Sequence, residues 1–450
     1  MNRKPNVIVF FTDQQRWDTM EAHGNPLQIT PNLDRMARMH THVYNSFTCQ
    51  PVCGPARSCL QTGQYATTTG CYTNGIPLAD DAKTLAHYFQ EDGYNTGYIG
   101  KWHLSGVQPH VPEGKRGGYD YWLASELLEF TSDAYDTVLF NDHNDPVKLP
   151  GYRVDALTDA AVKYIDTHQD KPFFLFVSYL EPHHQNHIDD YPAPEGYREQ
   201  YTGKWCPPDL TLEGSSAPQH LGGYFGMVKR LDEAYGRIHD TLKSLHLSDD
   251  TIVLFTSDHG NHFKTRNAEY KRSGHESSIR VPTVFTGSSF KGGGQIHELV
   301  SLVDLPPTLL DAAGIQVPST MEGRSILPLI NREATDWPKD IFVQISESQN
   351  GRAIRTKRWK YGIVAKENTQ MPFAETYLES YLYDLEADPY ELTNIIESEA
   401  HREVIERMRF RMHKRIASIE NREVLIEEVP RKKMGQRKAP QQKEYLVSDL

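Results

Sequence analysis

The sequence predicts an α/β fold: a large, mostly parallel sheet sandwiched by helices, then a small antiparallel sheet with one helix. Three observations carry this. Short, wholly apolar runs alternate with segments of helical spacing as far as Pro328. Runs without an exposed polar face belong to strands buried on both sides, as in parallel sheets covered by helices. Beyond Pro328 the runs become short and alternating, and a long amphipathic segment follows them.

Asn6–Thr12 reads as the first buried strand and ends at Asp13. Pro31–Met39 is a helix with proline in its first turn, and Ala82–Glu91 a second, stopped by Gly93. Thr96–Ile99 is a strand leading to Gly100-Lys101. Val154–Thr167 is helical, and Phe173–Ser178 is a strand leading to Glu181-Pro182-His183. The helix Gly223–Leu245 precedes the strand Ile252–Thr256, which runs into Ser257-Asp258-His259-Gly260. Val281–Phe285 is a further strand, and Leu305–Ala313 a helix closed by Gly314. In the last third, Asp340–Ser346, Ala353–Arg358, Trp359–Ile363 and Tyr381–Asp384 read as strands, and Ala400–Ile419 as a helix. The expected organisation is a catalytic domain over 1–335, a small α+β subdomain over 336–426 and a mobile tail over 427–450.

Composition narrows the function classes. The formal net charge of -12 argues against a nucleic-acid binder, while local cations can still build an anion site in one cleft. Five cysteines at 49, 53, 59, 71 and 206 form no CxxC pair, so neither a zinc ribbon nor a disulfide scaffold is indicated; Cys49 and Cys53 are near enough in sequence to pair. No apolar run approaches a membrane span, and the Met1–Pro5 stretch enters the first strand without a signal-peptide core. The chain as written therefore reads as cytoplasmic, or periplasmic if an export signal has been removed.

Ligands of open α/β sheets sit beyond the carboxyl ends of strands, and four predicted strand ends carry chemistry. Asp13-Gln14 offers a carboxylate and an amide oxygen, either for a hard cation or to cap a turn. Asp258-His259 is a similar pair, or an ordinary turn. Lys101 and His103 would face the same side of an extended stretch, as an oxyanion pair or as a solvated lysine beside a satisfied histidine. Of His183 and His184, extended chain lets only one point into a site, and His187 is a further candidate. Lys271 is either a second cation for the same ligand or a surface residue. Cys53, alone, is a small buried hydrophobe or a nucleophile. Together these residues offer what sulfate or phosphate ester cleavage requires: a nucleophile or its precursor, carboxylates for a cation, and cations for a tetrahedral anion.

The run Cys53-Gly54-Pro55-Ala56-Arg57, with Leu60, Thr62 and Gly63 at fixed offsets, resembles the site at which type I sulfatases of the alkaline-phosphatase superfamily convert cysteine to formylglycine. The likeness extends along nearly the whole chain. Phe11-Thr12-Asp13-Gln14 and Ser257-Asp258-His259-Gly260 resemble the two metal-binding stretches. Gly100-Lys101-Trp102-His103 is similar to the Lys/His pair, His183 falls on the sulfate-binding histidine, and Lys271 keeps the spacing of the second lysine. Tyr381–Asn394 looks like the family's small C-terminal domain. Gln14, His259 and Gln64 depart from the usual Asp, Asn and Arg, and the Asp-His version also resembles phosphonate monoester hydrolases and choline sulfatases.

The resemblance implies an alkaline-phosphatase-like fold and sulfate-ester hydrolysis with Cys53 matured to formylglycine, whose hydrated form attacks sulfur. Arg57 would hold the modified residue. Asp13, Gln14, Cys53, Asp258 and His259 would surround a divalent cation, calcium first, with Mg2+ or Mn2+ as alternatives. Lys101, Lys271 and His183 would bind the sulfate oxygens, and one of them or His103 would protonate the leaving alcohol. A formylglycine-generating or anaerobic sulfatase-maturating enzyme is the implied partner, and a polysaccharide-derived sulfated oligosaccharide the expected substrate. The competing readings are a phosphonate monoester or phosphodiester hydrolase, a choline-sulfatase-like enzyme, and a sulfated-glycan binding protein with an unconverted Cys53.

Overall fold

The computed structural model describes residues 4–292, 294–333, 336–367 and 371–432. Among these, the strands are β1 Asn6–Thr12, β2 Thr41–Phe47, β3 Asn95–Lys101, β4 Tyr121–Ser125, β5 Thr137–Asn141, β6 Pro146–Leu149, β7 Phe173–Ser178, β8 Thr251–Ser257, β9 Val284–Thr286 and β10 Gly294–Ser301. They form one ten-stranded sheet in the order β10-β2-β9-β8-β1-β7-β3-β4-β5-β6. Its centre, β8-β1-β7-β3-β4, is parallel. The flanks combine both senses: β10 and β2 pair in parallel, whereas β9 runs antiparallel to both β8 and β2, and β4, β5 and β6 pair antiparallel. The large sheet is thus mixed, parallel through its centre as expected, with antiparallel strands added. The sequence expectation missed β2, β4, β5, β6 and β10, most of which mix polar with apolar residues.

Alternation on β1 shows why both faces read as apolar. Ile8 and Phe10 pack with Leu33, Leu157 and Leu231 from the helices Pro31–Met39, Arg153–Thr167 and Ala217–Ser244. Val7, Val9 and Phe11 pack on the opposite face with Leu60, Phe89 and Leu309 from the helices Cys53–Thr62, Leu85–Glu91 and Leu305–Ala312. Burying one such side chain contributes roughly 1.5–3 kcal/mol. Element ends moved for identifiable reasons. The helix expected from Ala82 starts at Leu85, because Thr84 caps it in a reciprocal box with His87. The strand expected from Val281 is regular only from Val284: Val281 still bonds Ser46, but Pro282 lacks the N–H a ladder needs. The Cys53–Thr62 helix was not anticipated, and it ends at Gly63 in the left-handed conformation, φ 71°.

The second sheet runs β11 Asp340–Ile345, β12 Gly351–Thr356, β13 Trp359–Ala365 and β14 Thr376–Asp384, antiparallel throughout. β15, Leu425–Glu427, joins β14 in parallel, so the sheet is not purely antiparallel. The helix Arg402–Glu420 buries Ile405, Met408, Met412 and Ile416 in the same core as Phe342 and Tyr361. Of the segment expected to be mobile, Glu427 closes β15, Arg431 binds Glu379 at 2.5 Å, and the Lys432 N–H donates to the Glu397 carbonyl. Residues 433–450 lie outside the described residues. Among the described residues no helix is long and apolar enough to cross a membrane.

Candidate active site at the strand ends

Five elements converge beyond the carboxyl ends of β1, β3, β7 and β8. Asp13 follows β1, with its N–H bonded to the Glu181 carbonyl, and Asp258 follows β8, with its N–H bonded to the Thr12 carbonyl. Parallel pairing of β1 with β8, Thr12 opposite Ser257, is what sets the two aspartates side by side. Gly260 then passes so close to Ser277 that an added Cβ would lie 2.1 Å from its carbonyl oxygen. Only glycine fits there. Gln14 takes the left-handed conformation, φ 72°, with its N–H held by Asp258 Oδ1 at 2.9 Å and its carbonyl by the Tyr224 hydroxyl at 3.0 Å. Such a backbone in a non-glycine residue persists only when its surroundings enforce it.

Cys53 opens its helix, so its sulfur sits at the positive end of the helix dipole. Cys53 Sγ lies 2.7 Å from Lys271 Nζ, 3.2 Å from His259 Nε2 and 3.6 Å from Asp13 Oδ1. It is a free thiol, as is Cys49, so the two do not pair. One turn along the helix, Arg57 donates to Asp13 Oδ2 at 3.0 Å, to the Lys101 carbonyl at 3.0 Å and to Ser178 Oγ at 2.6 Å. Lys101 Nζ bridges Asp13 Oδ2 and Glu129 Oε1, each at 2.9 Å. His183 Nε2 meets Lys271 Nζ at 3.1 Å, while its Nδ1 is fixed by the His184 carbonyl at 2.6 Å. His184 stacks between His183 and Tyr270, and so serves as a backing for the ring that faces the site.

Electrostatics follow from this crowding. Burial pushes the Asp13 carboxyl up, but Lys101, His183, Lys271 and Arg57 together hold it well below the usual carboxylate range. Burial and the neighbouring Asp13 push Asp258 up to about 7. Burial and Asp13 also push the Cys53 thiol up, and Lys271, Lys101 and His259 outweigh them and bring it to about 6. Burial lowers His259, and Asp258 and Cys53 outweigh it and raise it above the ordinary histidine value. Burial, reinforced by Lys101, takes His103 down to about 3.

The structure therefore brings Asp13, Gln14, Cys53, Arg57, Lys101, His183, Asp258, His259 and Lys271 to one place. His103 joins them by a different route from the one expected. β3 ends at Lys101 and His103 is left-handed, φ 62°, so a turn rather than strand alternation brings it toward Lys101 and Glu129. His187 is not in the cluster; it pairs with Asp133 at the surface, 3.2 Å away. The sequence reading missed Glu129 and Ser178. Ser178 closes a strand that was recognised, directly opposite Gly100, and could have been found as its last residue. Glu129 lies beyond β4, which was not.

Ligand atoms of Asp13, Cys53, Asp258 and His259 all lie within 4.8 Å of one another. Gln14 Oε1 and Nε2 and Asp258 Oδ2 are buried with no hydrogen-bond partner. Buried polar atoms are normally satisfied, and two adjacent carboxylates with an idle amide oxygen are the donor set of a hard divalent cation. The residues fit such an ion.

Residues 5–315 match the family model described as Sulfatase. The chain belongs to the sulfatase family. This places it in the alkaline-phosphatase superfamily, and makes it an enzyme that hydrolyses sulfate esters. Residues 268–418 of this sulfatase also match the model for the N-sulphoglucosamine sulphohydrolase C-terminal region. It is 31% identical over 417 residues to an ulvan-active sulfatase of Formosa agariphila, covering 87% of this chain and 77% of that one. It is 26% identical to an N-acetylglucosamine-6-O-sulfatase of Bacteroides thetaiotaomicron, covering 87% and 83%. A solved structure in complex with its substrate D-glucosamine-2-N,6-O-disulfate superposes with a TM-score of 0.81 at 22% identity, over 93% of this chain and 99% of that one. Sulfatases of this family use formylglycine and a divalent cation.

Proposed function

We propose that this sulfatase releases sulfate from a sulfated carbohydrate, with Cys53 matured to formylglycine as the nucleophile. The observation that carries the site assignment is the Cys53 sulfur, seated at a helix N-terminus within 2.7 Å of Lys271 and 3.2 Å of His259. The carbohydrate substrate rests on the ulvan-active and N-acetylglucosamine-6-O-sulfatase relatives.

Asp13, Gln14, Asp258 and His259 would hold the cation, and calcium suits three oxygen donors best, with His259 tilting the site toward Mn2+ relative to an all-oxygen set. Bound there, a divalent cation lowers the pKa of a hydroxyl by several units and so supplies a strong nucleophile near neutral pH. Arg57 fixes Asp13 and, through it, the geometry around residue 53. Lys271, 2.7 Å from the sulfur, and His183, 3.1 Å from Lys271, bind the sulfate oxygens. Lys101, tied between Asp13 and Glu129, adds a third positive charge beside them. His103 and His183 are both held neutral by burial and neighbouring cations, and an arriving sulfate brings the negative charge that raises them. His103 then carries the proton for the leaving alcohol. A maturating enzyme, aerobic or anaerobic, is the required partner for Cys53.

The test is a panel of sulfated mono- and oligosaccharides scored for released sulfate, with an aryl sulfate and an aryl phosphodiester alongside. Sulfate release from a saccharide at the highest kcat/KM supports the reading. A higher kcat/KM for the phosphodiester overturns it in favour of phosphonate or phosphodiester hydrolysis. Loss of about 18 Da from the Cys53 peptide, by the atom arithmetic of thiol to aldehyde, tests the maturation step.

A further inference from the structure

The second sheet touches the loops that carry Cys53 and Lys271 through the hairpin between β11 and β12. Between β11 and β12 the chain turns at Ser346-Glu347-Ser348, and Glu347 sits at its tip in the left-handed conformation, φ 67°. Both of its carboxylate oxygens are engaged, and they are engaged to different loops. Oε1 accepts the backbone N–H of Asn74 at 2.6 Å, and Asn74 Oδ1 in turn accepts the N–H of Gly54 at 2.9 Å. Gly54 is the residue after Cys53. Oε2 pairs with the Arg272 guanidinium at 2.7 Å, and Arg272 is the residue after Lys271.

One carboxylate thus ties the segment that carries the nucleophile to the segment that carries the cation 2.7 Å from it. The neighbours of Glu347 strengthen the same link. Ser348 Oγ donates to the Arg272 carbonyl at 2.5 Å, and Ser346 Oγ accepts from Gln50 Nε2 at 2.7 Å. Arg272 is itself left-handed, φ 70°, and side chains rarely hold that backbone without outside support. Glu347 and Arg272 are mostly shielded, at 16% and 20% side-chain exposure. Their pairing is therefore less screened than a surface ion pair, and its bonds are charge-assisted.

We propose that Glu347 is a positioning residue: from the second sheet it sets the spacing between Cys53 and Lys271 across the sulfate site. It touches neither the sulfur nor the site's other polar atoms, and acts through Asn74–Gly54 on one side and Arg272 on the other. Misplacement by about 1 Å far from the chemistry can cost about 100-fold in rate, so such a tie has a measurable effect. The proposal rests on the reading that Lys271 binds the sulfate group.

The experiment compares wild type, Glu347→Ala, Glu347→Gln, Glu347→Asp and Lys271→Ala, each corrected for the fraction of converted Cys53 by peptide mass. The readouts are kcat/KM for an aryl sulfate, the inhibition constant of inorganic sulfate, and Tm. Glu347→Ala is expected to lower kcat/KM and raise the sulfate inhibition constant, each by about 10-fold or more. Glu347→Gln, which keeps an acceptor for Asn74 but loses the charge facing Arg272, falls between it and wild type, and Glu347→Asp recovers part of the loss. A sulfate inhibition constant at the wild-type value in Glu347→Ala, beside a raised one in Lys271→Ala, overturns the positioning role alone. A wild-type constant in Lys271→Ala overturns the role of Lys271 and the proposal with it. Losses in Glu347→Ala that follow its Tm and vanish well below that temperature mean a purely structural hairpin, and overturn the proposal as well.

Discussion

Asp258 and Glu276 are both buried carboxyls, 0% and 2% exposed, eighteen residues apart, yet their surroundings push them in opposite directions. Asp258 is up at about 7, because burial and the Asp13 carboxylate act on it together. Burial raises Glu276 too, but Arg355, Lys360 and Arg280 overwhelm it and bring the group to about 2. Glu276 sits in a knot that ties the two sheets: Lys360 Nζ is 2.7 Å from both Glu276 and Glu391, and Arg355 is 3.3 Å from Glu276. In that knot three cations answer two carboxylates. Around Asp258, by contrast, an amide has no partner at either end, and one carboxylate oxygen takes no hydrogen bond. The first arrangement balances its charges within the protein, each carboxylate facing a cation within 3.3 Å. The second is complete only with something added, which distinguishes a binding cluster from a structural one without reference to any relative.

The contrast can be tested by damaging each cluster. Cys53→Ala or Cys53→Ser should remove sulfate release altogether while leaving Tm nearly unchanged, because the sulfur contributes chemistry rather than packing. Normal turnover by Cys53→Ala would sink the assigned nucleophile. Lys360→Met should do the reverse. It takes from Glu391 the cation 2.7 Å away and leaves Glu276 with Arg355 and Arg280 alone, and should cost about 3–5 kcal/mol in urea unfolding, with little change in kcat per folded molecule. Removing divalent metal with a chelator should abolish activity and lower Tm, by an amount equivalent to about 2.7 kcal/mol where the ion stands at 100 times its Kd. Restoration by Ca2+, Mg2+ and Mn2+ in turn ranks the ions, and a chelated protein with unchanged Tm and activity would remove the cation from the site.

The smallest effect concerns acid. Glu276 is held at about 2 against an ordinary value of 4.5, so its stabilisation is complete above about pH 4.5 and is lost as pH falls through 2. The stability gap between wild type and Glu276→Gln should therefore be steady from pH 7 to 5. It should narrow by about 1 kcal/mol between pH 5 and 3.5, read from urea midpoints. A gap that widened on acidification would contradict the assignment of Glu276 as a charged group in the native state.

How much of this was legible in the sequence depended on the kind of signal. β1, β7 and β8 are buried throughout with continuous apolar centres and stood out, and with them Asp13, His183 and Asp258 at their ends. Flanking strands such as β2 and β5 mix polar residues into the run, so they did not stand out. Losing β4 meant losing Glu129. His103 was found for a reason that does not hold, since a turn and not an extended stretch presents it. His187 was offered as a candidate because it is near His183 in sequence, yet a short turn carries it to the surface. Glu347 left no signal, because its role depends on where a hairpin of one sheet touches two loops of the other.

The burial of Cys53 also has a consequence for biosynthesis. Only 2% of the residue is exposed, inside a helix, and the groups crowding its sulfur come from as far along the chain as Lys271, 218 residues later. Once those residues have been synthesised and have folded against β1, the thiol is sealed. Were Cys53 matured as proposed, the enzyme would have to reach it on the nascent or unfolded chain, with modification preceding folding. A preparation folded before modification would be trapped as native, stable and inactive protein.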